Sequence, residues 1–217
     1  SALIAKTMGE GDHEKAKRLF SLIVYVSAAC GIVIAALGFV FIRPIAALLG
    51  AKDTMLDDCV TYGRIILLAL PAYILQYEFQ SFFVTAEKPQ LGLAVTVAAG
   101  VTNIALDALL VAVFPLGLSG AAAATALSQC VGGIVPLIYF FRPNPGRLRL
   151  GRAKYDGKAL LKTCTNGSSE LMSNISMSVV SMLYNVQLMK YAGEDGVAAY
   201  GVLMYVSMIS VSYTHLR

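Results

Sequence analysis

Leu19–Ile42 reads LFSLIVYVSAACGIVIAALGFVFI, 24 residues without a charge. At about 1.5 Å of rise per residue, a helix of that length is about 36 Å long, enough to cross a hydrocarbon core about 30 Å thick with some tilt. The apolar residues do not alternate with polar ones at the period of an amphipathic surface helix, so the segment asks for an apolar surrounding on every side. The bilayer supplies one.

Outward from this segment the pattern repeats. Ile65–Ala86, Leu91–Phe114, Leu116–Phe141 and Thr163–Met189 are further long apolar blocks, and a sixth begins near Val197. Each is longer than the apolar core of a secretory signal, about 7 to 15 residues. Composition agrees: 57% of residues are hydrophobic, 14% are charged, and the mean hydropathy is +0.69, outside the range of a water-soluble chain of this length. The expected fold class is all-α, a polytopic helical membrane protein whose first partner is the lipid bilayer. Ser1–Met8 reads as the last turns of an earlier helix, and the closing Tyr213-Thr-His-Leu-Arg217 breaks off the last apolar run, so a piece of a longer protein is expected.

Lys and Arg gather in alternate loops. One set holds Lys6, Lys15, Lys17, Arg18 and Lys88, with seven more between Arg142 and Lys162; the other holds Arg43, Lys52, Arg64 and Lys190. Twelve against four places the first set in the cytoplasm. The stretch 142–162, with Pro143, Pro145, Gly146 and Gly151, reads as a basic cytoplasmic linker facing anionic headgroups, between an amino-terminal bundle at 1–141 and the start of a second at 163–217.

The net charge of +4 therefore follows from topology, and no basic stripe interleaved with aromatic residues points to nucleic acid. Cys30, Cys59, Cys130 and Cys164 have no paired spacing, and His13 and His215 stand alone in polar segments, so no metal or cofactor pattern is present in the sequence. Asn166-Gly-Ser and Asn174-Ile-Ser match a glycosylation sequon but fall at or inside a span.

Chemistry is expected where polarity is expensive, since a charge within a span costs about 2.5 to 3.5 kcal/mol on insertion scales. Glu78, Asp107 and Glu170 are the carboxylates in the apolar blocks. Asn103 stands four residues before Asp107, on the same helix face, and a carboxylate beside an amide carbonyl suits a small hard cation or a proton. The same pair also suits hydrogen bonding between helices. Glu170 repeats the spacing with Asn174, and Ser181 and Asn185 extend a largely polar stripe flanked by Met172, Met177 and Met182. Glu78 lies between Gln76 and Gln80, where a water-filled path and a structural hydrogen bond are equally served. Gly117-Leu-Ser-Gly-Ala-Ala-Ala-Ala-Thr-Ala lets backbones approach closely, and its Thr125 offers a hydroxyl either to a neighbouring cation or to packing.

Taken in order, Met8-Gly-Glu-Gly-Asp with Ala16, Asn103-Ile-Ala-Leu-Asp107, Gly120-Ala-Ala-Ala-Ala-Thr125, Asn166-Gly-Ser-Ser-Glu170 and Gly193-Glu-Asp-Gly-Val-Ala-Ala-Tyr200 resemble the multidrug and toxic compound extrusion (MATE) transporters. The resemblance implies twelve helices in two six-helix lobes, of which this chain would hold the end of helix 2 to the start of helix 8. It further implies that Asn103, Asp107 and Thr125 are similar to that family's amino-terminal cation site, completed there by an acidic residue on helix 1. Glu170 resembles a polar position of the second lobe.

The expected function is antiport: Na+ or H+ enters through Asp107 and a cationic drug or other xenobiotic leaves, with Glu170, Asn174, Gln80 and Glu78 toward the substrate. No enzyme activity and no cofactor beyond the coupling ion are expected, and the protein is expected as a multi-pass monomer of the bacterial cytoplasmic membrane. Alternatives are a flippase for lipid-linked precursors, which would favour a cationic cavity that these spans lack, an intramembrane enzyme, and a structural subunit.

Overall fold

The computed structural model describes residues 2–49, 51, 53–143 and 148–215, and every regular element among them is a helix. α1 spans Ala2–Gly9, α2 His13–Leu48, α3 Asp53–Thr85, α4 Pro89–Asp107, α5 Gly117–Phe141 and α6 Gly157–His215, and a π-helical segment, Ala108–Val113, continues α4. Lys52, Pro145, Gly146 and Arg147, on which parts of the topology and linker readings rest, lie outside the described residues.

Local chemistry sets the boundaries. Between α1 and α2, Gly11 takes a φ of 84°, and Asp12 then caps α2 by accepting the Lys15 N–H at 3.0 Å. α4 opens on Pro89, whose missing N–H is no loss at the start of a helix. Pro44, Pro71 and Pro136 lie inside α2, α3 and α5, a placement that spanning helices tolerate because neighbouring groups satisfy the freed carbonyls.

Among the described residues, α2, α3, α4 with its π segment, and α5 are long and apolar enough to cross a membrane. They coincide with four of the expected blocks. Their outer faces carry Val40, Leu68 and Ile104 at 70%, 73% and 71% exposure, which water would not tolerate and acyl chains do. The block Thr163–Met189 is helical within α6 but less apolar than these four, because Asn166, Ser168, Glu170, Ser173, Asn174 and Ser178 interrupt it. The block from Val197 falls in a shorter apolar helix, Gly196–Ser207.

The chain divides into two compact units, Ser1–Ala159 and Leu160–Arg217. In the first, α3 is the central helix, packed against α2 and α5, while α4 lies on α5. The contacts are tight where side chains vanish. Gly31 of α2 faces Pro71, and a Cβ on Gly133 of α5 would run into the Ala72 backbone carbonyl of α3. Close approach of this kind replaces the hydrophobic drive that lipid cannot supply.

Toward one end of this unit the glycines give way to aromatic rings. Phe140 of α5 stands at the centre, with Phe20 of α2 at 5.1 Å and Phe79 and Phe83 of α3 at 5.4 and 5.1 Å, and Phe82 meets Phe20 edge-on at 4.8 Å. All five rings are buried, and each such pair contributes about 0.5 to 1.5 kcal/mol beyond its buried area.

Part of the stretch expected as a basic cytoplasmic linker is anchored to this core. Leu148 and Leu150 are 0% and 5% exposed, the Leu150 N–H donates to the Phe140 carbonyl at 2.8 Å, the Gly151 N–H donates to Ser21 Oγ at 3.0 Å, and the Tyr25 hydroxyl donates to the Gly151 carbonyl at 3.2 Å. Burial of the two leucines and satisfaction of the backbone groups beside them hold it there. α6 begins at Gly157, inside the stretch read as linker.

In the second unit, α6 is broken at Gly193, whose φ of 65° and ψ of −161° belong to no helix and suit a residue without a Cβ. The Tyr184 and Tyr200 rings stack at 5.5 Å with 6° between their planes, so the chain after Gly193 returns along the segment before it.

Candidate functional site

Asn103 and Asp107 lie one turn apart on one face of α4, both half-buried. Asp107 is the last α-helical residue, with φ −60° and ψ −48°, and the winding loosens directly after it. The Ala108 N–H is shared between the carbonyls of Ile104 and Ala105, and by Phe114 the bond has moved five residues back, to the Leu109 carbonyl at 2.9 Å. π turns of this kind recur at functional sites, since they re-aim side chains relative to the helix before them. Pro115 then ends the segment, and Leu116 donates its N–H to the Leu110 carbonyl at 3.1 Å.

That same carbonyl abuts α5: a Cβ on Gly120 would stand 2.8 Å from Leu110 O. The glycine thus seats the π segment against the start of α5, and Thr125, half-buried, follows further along α5. Its carbonyl accepts the Ser128 hydroxyl at 2.8 Å. α4 and α5 pack together, yet among the described residues no hydrogen bond or ion pair ties Asn103, Asp107 and Thr125 to one another, and the Asp107 carboxylate caps nothing. A half-buried carboxylate with no protein partner can accept a cation or a proton without first breaking a bond.

Gln76, Glu78 and Gln80 part company on α3. Glu78 lies about 200° around the helix from Gln76 and Gln80, which share a face one turn apart, and each finds a different neighbour. Gln76 lies over Gly132 of α5. The Glu78 carboxyl has the Ser27 hydroxyl of α2 as its hydrogen-bonding neighbour. Gln80 Nε2 donates to Thr96 Oγ1 of α4 at 3.2 Å. The central helix thus spends these side chains on three different interfaces.

Three acceptors inside the unit have no partner among the described residues: Gln76 Oε1, Glu78 Oε2 and Gln129 Oε1. Each unsatisfied buried acceptor costs about 1 to 3 kcal/mol, so such oxygens mark places where water, an ion or a donor on a ligand would be held. Gln129 was not singled out from sequence. Its one signal was the spacing of four from Thr125, which puts both on one face of α5.

Glu170 and Asn174 belong to the second unit and are both exposed. Asn174 Nδ2 donates to the Glu170 carbonyl at 2.8 Å, and the Ser178 hydroxyl donates to the Asn174 carbonyl at 2.9 Å. The amide turns back on its own helix, and the Glu170 carboxylate has no ion-pair partner among the described residues.

Comparison with known proteins finds the same architecture. The MatE family model matches residues 1–109. Multidrug export protein MepA of Staphylococcus aureus (strain bovine RF122 / ET3-1) is 27% identical over 200 residues, covering 92% of this chain and 44% of its own length, and MepA of Staphylococcus saprophyticus is 28% identical over the same extent. Among solved structures, an inward-facing multidrug resistance MATE transporter of the MOP superfamily superposes with a TM-score of 0.88 at 21% identity, over 96% of this chain and 48% of that one. A MOP superfamily transporter from Pyrococcus furiosus, described as having a binding pocket of reverse polarity, gives 0.85 at 21% identity. The chain spans somewhat under half the length of these relatives.

Proposed function

On the premise that this chain belongs to the MatE family, the multidrug and toxic compound extrusion transporters, we propose that it forms the coupling half of an antiporter that exports organic cations from a bacterial cell in exchange for Na+ or H+. The observation that carries the reading is the Asp107 carboxylate, half-buried at the junction of α4 and its π segment with no hydrogen bond or ion pair among the described residues. An unneutralised charge in low-dielectric surroundings is costly. An ion or proton arriving at Asp107 removes that cost, and a lobe whose shape depends on the charge shifts its population accordingly. Asn103 supplies an amide oxygen one turn away and Thr125 a hydroxyl on the adjoining helix, the hard oxygen donors that Na+ prefers. Glu170, Asn174, Glu78 and Gln80 are assigned to the passage of the drug.

The coupling residue is tested by Asp107→Asn, which keeps size and much of the hydrogen bonding but removes the charge. In vesicles carrying the transporter under an imposed Na+ or H+ gradient, export of a cationic dye should fall to the level of protein-free vesicles, while the amount of protein in the membrane stays unchanged. Gradient-driven export at the unaltered rate would make Asp107 a structural residue and remove the basis of the proposal.

A further inference from the structure

The anchored stretch after α5 leaves a two-part cleft against α2. One part, about 340 Å³, is almost wholly apolar and is formed by Tyr25 of α2, by Leu137, Ile138 and Phe141 of α5, and by Leu150, with Arg142 at its rim. The other, about 720 Å³, shares Tyr25, Phe141 and Leu150 and carries Arg149 and Arg152. The two parts thus lie side by side along these three shared walls. Arg149 and Arg152 have no acidic partner among the described residues. A neighbouring cleft of about 590 Å³ adds Lys15, Arg18, Lys154 and Lys158 against a single acid, Asp156, whose Oδ1 already accepts the Ala159 N–H at 3.1 Å.

The depth of this cleft identifies its surroundings. Tyr25 lies six residues past Leu19, where the uncharged segment begins, or about 9 Å along the helix. Phe141 is the last residue of α5. The apolar part therefore opens toward acyl chains and the basic part toward headgroups.

We propose that this cleft is a binding site for one acidic phospholipid, its phosphate held by Arg149 and Arg152 and the upper part of an acyl chain lying over Tyr25, Leu137, Ile138 and Phe141. The occupant follows from charge and shape together. An unpaired pair of arginines recognises phosphate, and the apolar floor running on from them has no use for a soluble anion. Because the same stretch is pinned to Phe140 and Ser21, the lipid would also brace the anchored stretch against α2 and α5.

The test is native mass spectrometry of the purified protein in detergent, titrated with dioleoylphosphatidylglycerol, with dioleoylphosphatidylcholine and with inorganic phosphate. Phosphatidylglycerol should bind with one tight equivalent, phosphatidylcholine about tenfold or more weakly, and phosphate not measurably. Arg149→Gln with Arg152→Gln should weaken phosphatidylglycerol binding by about tenfold or more, whereas Lys6→Gln, outside the cleft, should leave it unchanged. Phe141→Ala keeps every arginine and should still loosen the lipid. Equal binding of the two lipids, binding of phosphate as tight as that of phosphatidylglycerol, or an unaltered affinity in both the double variant and Phe141→Ala would each overturn the proposal.

Discussion

Asn103 with Asp107 on α4 and Glu170 with Asn174 on α6 are the same device on paper: an acid and an amide four residues apart, set in a long helix. The structure treats them differently. On α4 the acid sits at the junction of two kinds of winding, half-buried and without a bonded partner among the described residues. On α6 the helix is regular around the pair, both residues are exposed, and the amide is absorbed by the carbonyl of the acid's own residue. Spacing decides which side chains share a face; what the backbone does next, and what the adjoining helix brings, decides whether the acid is available.

The largest expected effect would break this contrast outright. Glu170→Gln should leave gradient-driven export running and alter only the apparent KM for cationic compounds, with neutral compounds unaffected, while Asp107→Asn abolishes export of both. Measuring the two variants side by side with one cationic and one neutral dye checks it; abolished export in Glu170→Gln would erase the distinction.

A smaller effect sharpens the role of the π segment. Gly120→Ala drives a Cβ toward the Leu110 carbonyl at 2.8 Å, a backbone atom that cannot swing aside. The variant should lose about 1 to 3 kcal/mol of stability, read as a lowered melting temperature in detergent, and should export more slowly because the segment after Asp107 has moved. Gly167→Ala on α6 meets nothing within 4 Å and should be neutral or stabilising by up to about 1 kcal/mol. Equal melting temperatures for the two variants would show that the π segment does not depend on that contact.

The smallest effect concerns the bond that occupies Asn174. Asn174→Ala removes one exposed donor to a helix carbonyl and should change stability by no more than about 0.5 kcal/mol. A melting temperature several degrees lower would mean that the pair on α6 is as embedded as the one on α4.

These contrasts separate what the sequence makes legible from what it hides. The uncharged run Leu19–Ile42 announces a span because it is long enough to cross a bilayer and apolar on every side, and Pro115 announces the end of the helix carrying Asp107, since the residue before a proline is pushed out of helical geometry. The π segment, Ala-Leu-Leu-Val-Ala-Val, has no such mark in its own residues; its Leu110 carbonyl lies against Gly120 on another helix. The anchored stretch was half legible. Leu148-Arg149-Leu150 alternates as an extended chain with one buried face would, but the prolines and basic residues beside it dominate the reading. Gln129 was invisible for the opposite reason, because an orphaned oxygen is a property of the space between helices and not of either helix.

Backbone contact between α3 and α5 at Ala72 and Gly133 also has a mechanical meaning. Side chains such as Phe79, Phe83 and Phe140 at the same interface can adjust by changing rotamers, whereas the main-chain contact at this one point has no spare conformations and either holds or separates. α3 and α5 should therefore move as a single stiff beam. The looser winding lies instead on α4, directly after Asp107, so under the proposed coupling a charge gained or lost there would act beside the π segment and against the α3–α5 pair.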